Sequence, residues 1–222
     1  MAITWNPSDK DAAITLSGGN LTASSTPPST AVGAYNARAT SAVGDGKWAF
    51  QVQYTSINDV GYDAIGLANA SAPLNTNPGS SVDSVALYLY AYFYGNSALM
   101  ANGAGATTWG GAVAGDTITF AWSKSGSTVL CWARVNSNDW NGDALADPAT
   151  ATRGFSVGGF LTGNLYAFFS VGRNSVGGTT TGIADFDGAF TLPSGFTYYD
   201  AASALSDAPL RPVWRDNHLL RR

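Results

Sequence analysis

Glutamate is missing from this sequence of 222 residues, so all 15 acidic residues are aspartate. Charged residues make up only 12% of the chain, about half the usual share. There is one histidine and one cysteine. Each scarcity excludes something. A lone Cys131 builds no internal disulfide framework and implies no dependence on an oxidising compartment. A Ser-His-Asp or Cys-His site needs a positioned base, and the single histidine, His218, lies in the tail. Paired-carboxylate hydrolysis would have to run on aspartates alone, and the one alternate pair on a strand is Asp185 and Asp187. A net charge of −4 leaves no cluster of Lys and Arg for phosphates, so nucleic acid is not an expected partner. No stretch is apolar for long enough to cross a bilayer. The first residues, MAITWNPSDKD, lack the basic start and apolar run of a secretory signal. The expectation is a chain made in a cytoplasm, without membrane insertion. Helix-favouring Glu, Lys, Met and Gln are scarce, which leaves strands.

What is present fits that. Apolar residues make up 45% of the chain and aromatics 12%, and there are 26 glycines. That composition suits short strands joined by tight turns. The central stretch, Gly115 to Gly142, alternates Ile118, Phe120 and Trp122 on one face and passes through Lys124-Ser125-Gly126-Ser127. It then runs from Val129 to Val135, which is the pattern of an antiparallel hairpin. Cys131 shares a face with Val129, Ala133 and Val135 and reads as a small buried hydrophobe. Lys47 to Tyr54 alternates as strictly, with Trp48, Phe50, Val52 and Tyr54 inward. Further strands are expected within 3–16, interrupted by a turn at Asn6-Pro7-Ser8-Asp9, and over 63–68, 85–94, 155–161, 165–172, 182–190 and 196–199. Segments 22–29, 71–81 and 143–153 read as loops, and 95–114 as a loop or weak hairpin. About a dozen strands separated by turn signals predict an all-β, two-sheet antiparallel sandwich over residues 1–200. Residues 201–222 form a C-terminal arm in this reading, with its best helical candidate at 201–207.

Several residues stand out as candidates for function. In Val85–Tyr94, read as one strand, Tyr88, Tyr90, Tyr92 and Tyr94 share a face opposite Val85, Leu87, Leu89, Ala91 and Phe93. Tyrosine joins a large apolar ring to a polar tip, which suits interfaces and sugar stacking. The row therefore has three readings: packing between sheets, subunit contact, or ligand platform. Trp109 and Trp140, both in loop-like surroundings, are the other recognition candidates, each with an alternative as a lid on the core. Asp139-Trp140-Asn141-Gly142-Asp143 has the look of a calcium loop, but Ala144 and Thr150 stand where an EF-hand wants Gly and Glu. A turn between strands is the plainer reading, and no metal or cofactor is expected. The arm holds Arg211, Trp214, Arg215, Leu219 and Leu220, a mixture suited to fixing the chain to neighbours.

In order along the chain, Gly46-Lys47-Trp48-Ala49-Phe50-Gln51-Val52, Ile65-Gly66-Leu67-Ala68, Gly115-Asp116-Thr117-Ile118 and the Trp132–Gly142 strand and turn resemble pieces of the SPRY domain. Leu165–Val171, Ala184-Asp185-Phe186-Asp187 and Pro193-Ser194-Gly195-Phe196 continue the likeness to about residue 200. The departures are Gln51, where the family usually has Glu, and Asp185-Phe186-Asp187, where it has Asn-Phe-Gly. The resemblance implies a concanavalin A-like sandwich and a recognition module rather than an enzyme. Glucanases of that architecture use Glu-x-Asp-x-x-Glu, which a chain without glutamate cannot supply. The Gly/Ala/Ser/Thr-rich, signal-less chain also resembles stand-alone bacteriophage virion proteins. The expected function is thus a non-enzymatic structural or binding component of a phage particle, on the head surface or in the tail. It would be homo-oligomeric and contact other virion proteins. The alternative is an adhesin recognising host-surface glycans.

Overall fold

The computed structural model describes residues 2–26, 33–58, 62–90, 92–99, 111–172, 178–188 and 190–200. Fifteen strands occur among them. They are β1 (Trp5–Lys10), β2 (Thr15–Ser17), β3 (Thr22–Ser25), β4 (Ala34–Ala39), β5 (Gly46–Ser56), β6 (Ala64–Ala68), β7 (Ser84–Tyr88) and β8 (Tyr92–Gly95). The remainder are β9 (Ala98–Leu99), β10 (Thr117–Ser125), β11 (Thr128–Val135), β12 (Phe155–Ser156), β13 (Tyr166–Gly172), β14 (Thr180–Asp185) and β15 (Thr197–Tyr198). One sheet runs β1-β4-β13-β6-β7-β8-β9 and the other β12-β11-β10-β5-β14-β3-β2, with β15 added in parallel to β5. The two sheets pack face to face as a sandwich.

Period-two alternation decides what lies between the sheets. Trp48, Phe50, Val52 and Tyr54 of β5 point inward, and the β10–β11 register sets Phe120 opposite Ala133 and Trp122 opposite Cys131. From the other sheet come Trp5, Phe93 and Phe169. Trp5 meets Phe169 and Phe186 at 5.7 and 5.0 Å between ring centroids, Tyr54 stacks on Phe169 at 6.0 Å, and Phe93 contacts Phe120 at 5.6 Å. Burying aromatics of this size supplies most of the drive to fold.

Both outer faces are covered in part as well. On the second sheet Ala49, Ala121 and Trp132 lie under Phe196, Ala146 and Trp140. On the first, the loop of residues 69–83 crosses the strands and is tied down at each. Asn36 Nδ2 donates to the Pro73 and Thr76 carbonyls at 3.3 and 2.7 Å. Arg38 Nη1 donates to Asn69 and Ala72 carbonyls at 3.1 and 2.7 Å, while its Nε and Nη2 hold the Asp9 carboxylate at 2.7 Å each. Strands β6 and β7 are consequently buried on both faces, which is why they read as unbroken apolar runs. Glycines allow two close approaches here, of β6 to β7 and of the covering loop to β8. A Cβ on Gly66 would lie 2.0 Å from the Val85 carbonyl oxygen, and one on Gly79, at φ +77°, 2.2 Å from that of Tyr94.

Several elements differ from the sequence reading. Residues 85–94 are two strands of a hairpin, not one, because the chain turns at Leu89-Tyr90. Thr22–Ser25 is paired strand rather than loop, since it finds β14 and β2 on either side. The Asn6–Asp9 turn is a bulge within β1: the four residues between Trp5 and Lys10 face the single Arg38 of β4, and Asn6 Oδ1 accepts the Ser8 N–H at 2.9 Å. Strand β4, carrying Arg38, had no counterpart in that reading. Strand β12 stops at Ser156 and β14 at Asp185. The 201–207 helix candidate lies outside the described residues.

Candidate functional site: a tyrosine cleft on the outer face

The hairpin keeps the tyrosines together by a different route from a single strand. Tyr88 pairs with Tyr92 and Ala86 with Tyr94 across β7 and β8. Paired residues share a face, so Tyr88, Tyr92 and Tyr94 all stand on the outer side of the first sheet, packed over Ala64 and Ala86. Leu87 and Phe93 point into the core. Tyr90, at the turn, is 59% exposed. With Tyr62, and with Asn77 and Ser80 from the covering loop, the four rings line an open cleft of about 550 Å³.

The rings are held in order. Tyr88 stacks on Tyr92 at 5.1 Å and 13° between planes, and meets Tyr94 edge-on at 6.1 Å and 89°. Its hydroxyl donates to the Pro78 carbonyl at 2.8 Å. Burial pushes the Tyr88 phenol far above its ordinary pKa, with Tyr92, Tyr94 and Tyr62 adding smaller effects in the same direction. Tyr88 is therefore the fixed floor, and Tyr92 and Tyr94 are half-buried walls. The loop is pinned over β8 and β9 by the Ser97 N–H and hydroxyl, which donate to Gly79 and Ser80 carbonyls at 2.7 Å. Asn77 Oδ1 is buried at the cleft wall with no hydrogen-bond partner among the described residues. An acceptor left so is costly unless a ligand or water reaches it.

The other candidates lie elsewhere. Trp140 sits on the outer face of the second sheet, packed with Trp132 and Phe196, under the Arg134 guanidinium 4.5 Å from its ring. Its ring is thus spent on the core lid and a cation–π contact. Trp109, and Arg211, Trp214, Arg215, Leu219 and Leu220 of the arm, lie outside the described residues. In the Asp139–Asp143 segment, Asn141 Oδ1 accepts the Ala133 N–H at 2.9 Å, and Asp143 accepts the Leu145 N–H and pairs with Arg153. Those oxygens fix the turn. Asp185 accepts the N–H groups of Asp187 and Gly188. Cys131 is buried, and desolvation pushes its thiol far up, the reverse of an activated nucleophile. A second depression of about 540 Å³ is lined by Asp116, Asn136 and Asp139 without aromatics. Asp116 already accepts the Val113 N–H and the Asn136 amide there.

Sequence reasoning found the tyrosines and missed Asn77, Ser80 and Tyr62. The fold of the 69–83 loop brings Asn77 and Ser80 to the hairpin and the entry to β6 brings Tyr62, and no local pattern encodes either approach.

The architecture is that of SPRY domains, the concanavalin A-like sandwich class. The SPRY domain of human HERC1 superposes with a TM-score of 0.56 at 14% identity, over 83% of this chain and 99% of that one. A human SPRY domain gives 0.54 at 15% over 80% and 98%, and the TRIM65 PSpry domain 0.52 at 10% over 82% and 92%. Stonustoxin matches at 0.54 and 14%, over 83% of this chain and 27% of its own. No family model matches the sequence, and no curated protein sequence matches it. The likeness is one of fold.

Proposed function

We propose that this chain is a non-enzymatic binding module whose ligand face is the tyrosine cleft, and that its partners are proteins. The observation that carries the proposal is the cleft itself: five tyrosines and a buried, unpartnered Asn77 oxygen on an otherwise covered sheet face. Rigid amphipathic rings bury large area at low entropic cost, which is how protein-recognition surfaces gain affinity. The setting proposed is a bacteriophage particle, head surface or tail, with other virion proteins and further copies of the chain as neighbours. The Gly/Ala/Ser/Thr-rich composition supports that setting. The structure bears on the face used.

The exposed ring of Tyr90 beside the Asn77 amide favours one second reading, stacking on a sugar of a host-surface glycan. Two screens separate the readings. A random peptide library panned against the folded chain yields binders that fail on Tyr90→Ala and Tyr94→Ala if the first holds. A glycan array yields hits with the same dependence if the second does. Binders indifferent to both substitutions in both screens would refute the cleft as the ligand face.

A further inference from the structure

The sequence holds one motif that the fold does not account for: Pro209-Leu210-Arg211-Pro212, a P-x-x-P spacing just before Val213 and Trp214. Such segments favour the extended polyproline II conformation, with prolines on one edge and backbone carbonyls unused. They are recognised by aromatic-lined grooves whose rings flank the prolines and whose polar tips donate to those carbonyls. The described residues supply a groove of that chemistry, with stacked and edge-on tyrosine rings, the exposed ring of Tyr90 and the amide of Asn77.

We infer that the tyrosine cleft of one copy takes the Pro209–Pro212 segment of a second copy. Reach argues for a second copy over the same one. The body ends at Asp200, whose carboxylate accepts the Ile3 N–H and whose own N–H donates to Phe186, beside the β1 edge. Five strand steps separate β1 from β8, the strand of Tyr92 and Tyr94, in the sheet order, about 24 Å at ~4.8 Å each. Thr4 is level with Thr40, while Tyr92 lies in the row of Asn36 through Tyr88, Ala64 and Ser170. That adds about 13 Å along the strands, for a straight-line distance of about 27 Å. Nine residues lead from Asp200 to Pro209. They span about 31 Å only when fully extended and average about 17 Å as a flexible chain. Within one copy the segment would run close to its limit while also climbing over the 69–83 loop. A neighbour's cleft imposes no such constraint.

Charge favours contact between the segment and a body, whichever copy supplies it. Residues 201–222 carry four arginines against two aspartates, whereas the whole chain is net −4, so the body that receives the segment is acidic. A contact between unlike surfaces closes into a two-fold dimer when exchanged reciprocally and runs on as a chain of copies otherwise.

The inference rests on the cleft being the ligand face, and its test is separable from that reading. The full chain is labelled with a nitroxide at Ala208→Cys, since the buried Cys131 is protected from the reagent. It is then mixed with unlabelled-cysteine chain carrying ¹⁵N. The expected result is loss of amide intensity at Tyr62, Tyr90, Tyr92 and Tyr94 of the ¹⁵N chain. That loss disappears when the nitroxide chain also carries Pro209→Ala and Pro212→Ala. Broadening seen only when both labels share one diluted chain overturns the second-copy assignment. Absence of broadening at these tyrosines, or broadening elsewhere, overturns the inference altogether. The peptide-library result decides the cleft's role independently in either case.

Discussion

Tyr88 and Tyr92 lie nearly parallel, 5.1 Å apart, because they are paired across a hairpin whose turn holds only the three residues between them. Tyr88 forms the floor of the cleft and Tyr92 one of its walls, and their stack carries its rigidity. Removing the Tyr88 hydroxyl strands the Pro78 carbonyl in a buried position. Tyr88→Phe should therefore cost about 1–2 kcal/mol of stability, measured by urea unfolding. Tyr90→Ala, at an exposed turn position, should leave stability within about 0.5 kcal/mol while abolishing cleft-dependent binding.

Arg38 is the tie between β4, the β1 bulge and the covering loop. Its guanidinium is almost fully buried and bidentate on Asp9. Replacing it with methionine leaves the Asp9 carboxylate without its cation, takes the guanidinium donor from the Ala72 carbonyl, and leaves the Asn69 carbonyl only the Ala72 N–H. The expected loss is about 3 kcal/mol, less if water reaches the partly exposed Asp9. Hydrogen exchange should also quicken at the Asn36 N–H, which donates to Leu74 in that loop. Unchanged exchange there would show that the loop holds without Arg38.

Much of the fold was legible because alternation and turn chemistry were local. The β10–β11 hairpin and β5 both sit where the pattern placed them. The 85–94 segment misled because a three-residue turn restores the same alternation on the way back. Tyr88 and Tyr92 therefore share a face in either arrangement, and only the apolar Leu89 at the bend hides the turn. Strand β4, AYNARA, was missed because its outward residues Asn36 and Arg38 are polar yet buried. They are satisfied by a loop far along the chain. The site followed suit: the rings could be read from the sequence, and their walls could not.

Alkaline pH gives a third test. Burial raises the phenol pKa values of Tyr54, Tyr88 and Tyr199 well above the ordinary value of 10.0. The unfolded chain loses these protons near that value while the folded chain keeps them. Their contribution to stability is thus complete below pH 10 and declines as pH rises beyond it. Phenolate absorbance of the buried rings should rise cooperatively, coincident with loss of the β-sheet circular dichroism signal. A single smooth titration without unfolding would mean that these rings are accessible.

Cys131 provides a fourth. It is fully buried with its thiol raised by desolvation, so a thiol reagent should react only through opening of the fold. The rate should rise with urea in step with unfolding. Fast reaction in native buffer would contradict the β10–β11 packing.

The central claim is that the tyrosine cleft binds, and one titration addresses it most directly. The best ligand from the peptide library, measured against the folded chain and against a Tyr90→Ala/Tyr94→Ala double variant of unchanged circular dichroism, should bind the variant about thirtyfold or more weaker. That corresponds to a hot-spot loss of about 2 kcal/mol or more. Equal affinity for the two proteins would contradict the account.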